Sequence, residues 1–169
     1  MKKLIWIMGS MSSGKSTLRR NFCNVMYDGK PKVIRGGMNN VPYIVTEFGE
    51  VCIVGEATET SACDGLDKSF GHLKKDGGIN SVIYGIKNYE YTILEGSQTA
   101  STWIEELNFI AKEYNVEFYA IYLNVTLWQN YKRLLNRIQE RGKTEADMTD
   151  KRLESVRSKN KQFRGVFDK

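Results

Sequence analysis

Residues Gly9-Ser10-Met11-Ser12-Ser13-Gly14-Lys15-Ser16 complete a G-x-x-x-x-G-K-[ST] octet, and each residue type in it has a physical task. Gly9 and Gly14 tolerate backbone angles that strain other residues, so successive N–H groups can converge on phosphate oxygens. A helix starting near Lys15 turns its positive N-terminal end toward an anion. Lys15 is the cation for the β- and γ-phosphates, the Ser16 hydroxyl is a ligand for Mg²⁺, and Thr17 is placed to touch the α-phosphate. The octet predicts a nucleoside triphosphate site, with ATP and Mg²⁺ as its ligands.

Three further groups of residues could do chemistry around such a loop. Arg133, Arg137 and Arg141 recur every fourth residue, which puts them on one ridge of a helix beside a polar break at Gly142-Lys143-Thr144. Such a ridge can clamp phosphates bidentately, with Arg133 toward the nucleotide and residues 133–148 as a lid. Glu95 follows the apolar run Tyr91-Thr92-Ile93-Leu94 and precedes Gly96, the strand end where open α/β sheets collect ligands. It could hold a metal-bound water or orient an acceptor. Asp64 and Asp67 lie in Cys63-Asp64-Gly65-Leu66-Asp67, where one of them could take a proton from an acceptor hydroxyl; Asp-Gly is also a common turn pair.

Composition narrows the chemistry. His72 is the only histidine, and Cys23, Cys52 and Cys63 form no C-x-x-C pair, so multi-histidine metal sites, zinc knuckles and disulfide frameworks are not indicated. No [NT]-K-x-D segment follows a later strand, which argues against a guanine-reading switch. A chain of 169 residues is short for an ATP-driven motor. Phosphoryl transfer to a small acceptor needs only the loop, an acceptor pocket and a cationic lid.

The elements that must position these groups can be read from hydrophobic period. Lys3 to Met8 reads as a buried strand, and Lys15 to Met26 as a helix with Leu18, Phe22, Val25 and Met26 on its apolar face. Lys32 to Arg35 reads as a strand followed by a loop at residues 36–40, and Tyr43 to Thr46 with Val51 to Val54 as a β-hairpin. Gly55 to Gly78 is polar and glycine-punctuated, which predicts a long functional loop. Ile79 to Lys87 reads as a short helix, Tyr91 to Leu94 as a strand, and Thr99 to Tyr114 as a helix. Val116 to Val125 carries a strand, Leu127 to Arg141 a helix with Leu127, Tyr131, Leu134, Leu135 and Ile138 on one stripe, and Asp150 to Phe163 a last helix. Strands alternating with helices predict one α/β domain over 1–169, three-layered, its mainly parallel sheet flanked by helices, with a small β-hairpin insertion.

Charge is uneven along that domain. Residues 1–129 are close to neutral, whereas residues 130–169 carry a net +6, which suits an anionic partner as well as a solvated helical surface. Lys151, Arg152, Arg157, Lys159, Lys161 and Arg164 could meet a nucleic-acid backbone. Tyr43, Phe48 and Phe70 are aromatic residues near the acceptor region, read as core more than as base-stacking platforms. The longest apolar runs are far below a membrane span, and the opening Met1-Lys2-Lys3 leads into no cleavage site. The expected location is the cytoplasm.

The phosphate loop, Gly55 followed by Ala62 to Asp67, the strand end Ile93-Leu94-Glu95-Gly96 with Ser97 to Ser101, and the helix ending Arg137-Ile138-Gln139-Glu140-Arg141 together resemble a family. They look like the small P-loop kinases of tailed bacteriophages that phosphorylate 5-hydroxymethyluridine in DNA, within the wider nucleotide-kinase-like group. The resemblance implies ATP-dependent transfer to the hydroxymethyl group of a modified pyrimidine in DNA. It also implies that Asp64 or Asp67 contacts the acceptor, Glu95 works near the metal, and Arg137 or Arg141 belongs to the lid. Two other functions stand beside it. A deoxynucleoside monophosphate kinase would need an arginine for the substrate phosphate, for which Arg35 is suited, and a non-catalytic nucleotide-binding module would bind ATP without transfer.

Overall fold

A computed structural model describes residues 1–57, 65–96, 103–140, 142, 144 and 150–167, the side chains of 151, 166 and 167 excepted. Strand β1 (Lys3–Met8) is apolar on both faces, as a strand covered on both sides must be. Leu4, Trp6 and Met8 point into one core and Ile7 into the other. Helix α1 (Lys15–Met26) leaves the glycine-flanked turn after β1 directly. The chain then runs through β2 (Lys32–Met38), β3 (Val41–Phe48), β4 (Val51–Val54), α2 (Leu66–Asn88) and β5 (Tyr91–Glu95). It closes with α3 (Trp103–Glu113), β6 (Glu117–Tyr122), α4 (Leu127–Gln139) and α5 (Asp150–Phe167).

The six strands form one sheet in the order β2-β3-β4-β5-β1-β6. Strands β4, β5, β1 and β6 pair in parallel, whereas β2–β3 and β3–β4 pair antiparallel. The sheet is therefore mixed, which corrects the expectation of a mainly parallel one. The hairpin is not an insertion either: β4 belongs at once to the antiparallel ribbon and to the parallel set. The reason is local turn chemistry. Asn39 and Asn40 both adopt positive φ (54° and 62°), the combination that joins two strands through a two-residue turn. The asparagine pair thus extends β2 through Gly36 and Gly37, where a loop is expected from composition, and Tyr43 lies across the bare backbone of Gly36.

Helix α2 overturns a second expectation. Half of the stretch Gly55 to Gly78 is helix rather than loop, interrupted at Lys74 by a non-helical conformation (φ 51°, ψ −160°). Glycine punctuation hides it, yet the glycines are packing devices. A Cβ on Gly77 would stand 2.9 Å from the Pro42 carbonyl oxygen, and one on Gly78 would stand 2.8 Å from the Trp103 ring. That closeness lets Ser81 Oγ accept from the Ile44 N–H (3.0 Å) and Asn80 Nδ2 donate to the carbonyls of Met38 and Val41. Helix α2 so fixes the ribbon to the sheet, and Tyr84 stacks on Tyr43 at 4.2 Å. Tyr43, Phe48 and Phe70 are all packed into the fold.

Helices α2 and α3, with Phe163 of α5, cover the face carrying Trp6, and α1 covers the other through Cys23 and Phe22. Phe163 meets Trp6 edge-on at 6.5 Å and is wholly buried, which anchors α5 by about 2 kcal/mol. Burial pushes the Cys23 thiol up to about 11 and the Cys52 thiol higher still. An unfolded thiol ionises near 9, so the native state keeps the proton longer and loses stability as pH rises from 9 toward 11. Over that window wild-type stability should fall more steeply than that of Cys23→Ala, by about 1.4 kcal/mol per pH unit, as read from urea unfolding midpoints.

Candidate active site

The octet forms the turn between β1 and α1, and its backbone takes angles that explain its residues. Gly9 has φ 154° and Gly14 φ 103°, with Ser12 also in the left-handed region at 61°. A Cβ on Gly9 would fall 2.4 Å from Ser13 Oγ, so glycine is required for space as well as for angle. In front of Gly14 the nearest atom to such a Cβ is Arg133 Nη1 at 3.8 Å, which leaves that side of the loop open. Ser12 Oγ and Ser13 Oγ are buried with no hydrogen-bond partner among the described residues. Orphaned hydroxyls in an open cradle suit an anion with several acceptor oxygens. Met11 lies exposed at the loop's tip.

Lys15 folds back into this cradle, its Nζ donating to the carbonyls of Gly9 (2.9 Å) and Ser10 (3.0 Å). Burial pulls its pKa below the usual lysine value; Asp67 and Glu95 push it back up, while Arg137 and Lys159 lower it further. Asp67, Glu95 and Arg137 are thus near enough to Lys15 to act on its charge. Asp64, Arg141 and the segment Ser97 to Ser101 lie outside the described residues. Ser16 is half-buried at the start of α1, and Thr17 is exposed on the loop's open side. Asp67, in the first turn of α2, packs against Gly96: a Cβ there would stand 2.9 Å from Asp67 Oδ1.

Glu95 is more constrained than a free metal ligand. Its Oε1 accepts from Arg19 Nε at 2.8 Å, and both side chains are 1% exposed. This pair explains a difference on α1. Of the expected apolar face only Phe22 packs inward, with Leu18 at 38% exposure and Val25 at 85%, while Lys15, Arg19 and Cys23 form the buried face. Arg19 went unread because cations rarely mark a buried face; the signal was its spacing, one helical turn beyond Lys15.

Helix α4 comes to the loop by its own local code. Thr126 and Gln129 form a reciprocal capping box at its N-terminus. One turn on, wholly buried Asn130 donates from Nδ2 to Ser10 Oγ (2.9 Å), in phase with buried Leu134 and Ile138. Arg133 Nη1 donates to the Ser13 carbonyl (3.0 Å) and reaches that of Ser12 (3.3 Å). Arg133 so holds the loop's backbone. A cleft of about 590 Å³ lies between the loop and α4, lined by Ser12, Gly14, Thr17, Arg133, Asn136 and Arg137 among others. From α5, Lys159 is half-buried with its charge facing Asp67, which separates it from the surface cations of the tail.

No family model matches this chain, and no curated protein matches it significantly. Among solved structures it is similar to a chain of the Pnkp1/Rnl/Hen1 RNA repair complex, with a TM-score of 0.61 at 14% identity. The match covers 99% of this chain and 45% of that one. At such identity the similarity is one of fold: a mixed α/β sheet flanked by helices, compatible with a P-loop kinase-like architecture. Among the described residues, no helix is long and apolar enough to cross a membrane.

Replacing Arg19 by Met leaves the Glu95 carboxylate buried beside a missing charge. That variant should lose about 3–5 kcal/mol of stability in urea unfolding, and Arg19→Met combined with Glu95→Leu should recover more than half of the loss.

Proposed function

We propose that this chain transfers the γ-phosphoryl group of Mg²⁺-bound ATP to a hydroxyl of a nucleic acid. The observation that carries the reading is the open cradle of Gly9 to Ser16 with Lys15 inside it and Asp67 and Glu95 facing that lysine. A nucleotide-binding module needs the cradle alone; carboxylates facing the lysine add what a transfer reaction uses.

Each residue then has a role. Lys15 exchanges its two carbonyl partners for phosphate oxygens, whose negative charge favours the ammonium that burial disfavours. The N–H groups of the loop and the Ser12 and Ser13 hydroxyls hold the phosphate tail. Magnesium, when bound, supplies neutralising charge between the phosphates, and Ser16 Oγ with Glu95 are the residues that would hold it. Arg19 Nε holds the Glu95 carboxylate in place through Oε1. Asp67, whose charge acts on Lys15, is the general base in this reading. Arg137 brings the lid's cation from α4.

Two features favour a nucleic acid as acceptor. Arg157, Lys161 and Arg164 are exposed on one stripe of α5, suited to non-specific backbone contacts. The similar solved structure belongs to an RNA repair complex. Within that class, the resemblance to phage kinases favours the 5-hydroxymethyl group of hydroxymethyluridine in DNA. A free deoxynucleoside monophosphate is the second acceptor, favoured by Arg35, which reaches Glu56 at the C-terminal end of β4.

The test is incubation with [γ-³²P]ATP and Mg²⁺, offering separately hydroxymethyluracil duplex, plain DNA and RNA with 5′-hydroxyl ends, and deoxynucleoside monophosphates. Label is expected in a polymer, hydroxymethyluracil duplex first; label in monophosphates alone moves the acceptor to the second class. ATP binding with no transfer to any acceptor overturns the enzyme reading. Lys15→Ala should lower transfer by roughly 10²–10³-fold with an unchanged circular dichroism spectrum.

A further inference from the structure

On β2, Arg35 pairs across the ribbon with Ile44, and the Ile44 carbonyl accepts from the N–H of Gly55 at 2.8 Å. Arg35 is thereby level with the C-terminal ends of the parallel strands, the edge that carries Lys15, Glu95 and Asp67. Its guanidinium donates to Glu56 Oε2, while Lys68 of α2 takes Oε1 of the same carboxylate. Two cations from different elements so converge on one anion, one on each oxygen. Lys68 immediately follows Asp67.

Glu56 is rigidly mounted between them. Its N–H donates to Ser69 Oγ (2.8 Å), and its carbonyl accepts from Gly65 N–H (3.0 Å). Exposure runs outward, from 23% at Glu56 through 34% at Lys68 to 58% at Arg35. Lys68 first and Arg35 second hold the Glu56 carboxyl below the usual carboxylate range, so it is an anion at neutral pH. The cluster keeps one surplus positive charge. Exposed pairs of this kind are weakly held, so an incoming dianion competes for the same donors. A planar guanidinium beside an ammonium is also a donor set matched to phosphate.

We propose that Arg35 and Lys68 form a phosphate-binding subsite for the acceptor, with Glu56 holding the two cations in position until a phosphate takes its place. The ligand is an acceptor that bears a phosphate, mono- or diester, beside the hydroxyl presented to Asp67. An uncharged nucleoside lacks the group this subsite reads. The inference rests on the phosphotransferase reading for the use of the subsite, not for its existence.

The experiment compares 5-hydroxymethyl-2′-deoxyuridine, its 5′-monophosphate, and an oligonucleotide containing the same base as acceptors. With the wild type, KM for the phosphorylated acceptors should be at least roughly tenfold below that of the nucleoside. Arg35→Ala and Lys68→Ala should each collapse that ratio, and Glu56→Gln should widen it. Collapse confined to the monophosphate identifies a terminal phosphate as the ligand; collapse confined to the oligonucleotide identifies a backbone diester. An unchanged ratio in both alanine variants overturns the subsite. Should no acceptor be phosphorylated, the phosphotransferase reading fails and calorimetry still decides this one. The monophosphate is titrated into protein saturated with a non-hydrolysable ATP analogue. Heat in the wild type that disappears in both alanine variants supports the subsite; equal heat in all three, or none in any, overturns it.

Discussion

Two cations one helical turn apart, Lys15 and Arg19, are buried on the inner face of α1, and the rest of the site follows from making that tolerable. An uncompensated buried ion costs several kcal/mol, more than the face of a twelve-residue helix returns by packing. Lys15 is therefore met by two carbonyls of its own loop and Arg19 by the Glu95 carboxylate. Those partners exist only where β1 and β5 end side by side, paired in register from Lys3 with Tyr91 to Ile7 with Glu95. The rotation of α1 is set by this requirement and not by its apolar residues, which is why Leu18, Val25 and Met26 are left in solvent.

The same constraint shapes the opposite wall. A loop whose glycines accept strained angles needs restraint from outside, and α4 supplies it through Asn130 on Ser10 and Arg133 on the carbonyls of Ser12 and Ser13. Arg133 and Arg137 both line the cleft; the first holds the loop's carbonyls and the second acts on the charge of Lys15. Helix α4 thus ties the loop to the sheet's far side through Asn130 and Arg133.

How much of this was legible depends on which force fixed each element. Strand β1, the octet and α1 were readable to the residue, because a buried parallel strand and a phosphate loop leave little freedom of composition. That Lys15 and Glu95 sit at one edge follows from the same pattern, since strand ends and helix starts converge there in such a sheet. Helix α2 was not, because its glycines signal a loop locally and serve close packing on Pro42 and Trp103 only once the tertiary fold exists. Asn130 and Arg19 were missed for a related reason. A polar residue in phase with an apolar stripe looks like an exception until its partner, far away in sequence, is in place.

The mixed sheet carries the last step. Had β2 and β3 been a separate insertion, Arg35 would have been placed by loop geometry alone and could not be aimed. Instead Asn39 and Asn40 set the turn, the turn sets a register in which Arg35 faces Ile44, and β3 transmits that level to Gly55 and Glu56. A slip of one residue in this ladder would send Arg35 to the other face of the sheet. Helix α2 guards against the slip by binding the carbonyls of Met38 and Val41 through Asn80, on either side of the turn. One element therefore presents Asp67 and Lys68 at its start and fixes, from its middle, the register that delivers Arg35. The wall that carries Asp67, Lys68 and Arg35 is built by α2 as firmly as the wall that carries Lys15 is built by α1.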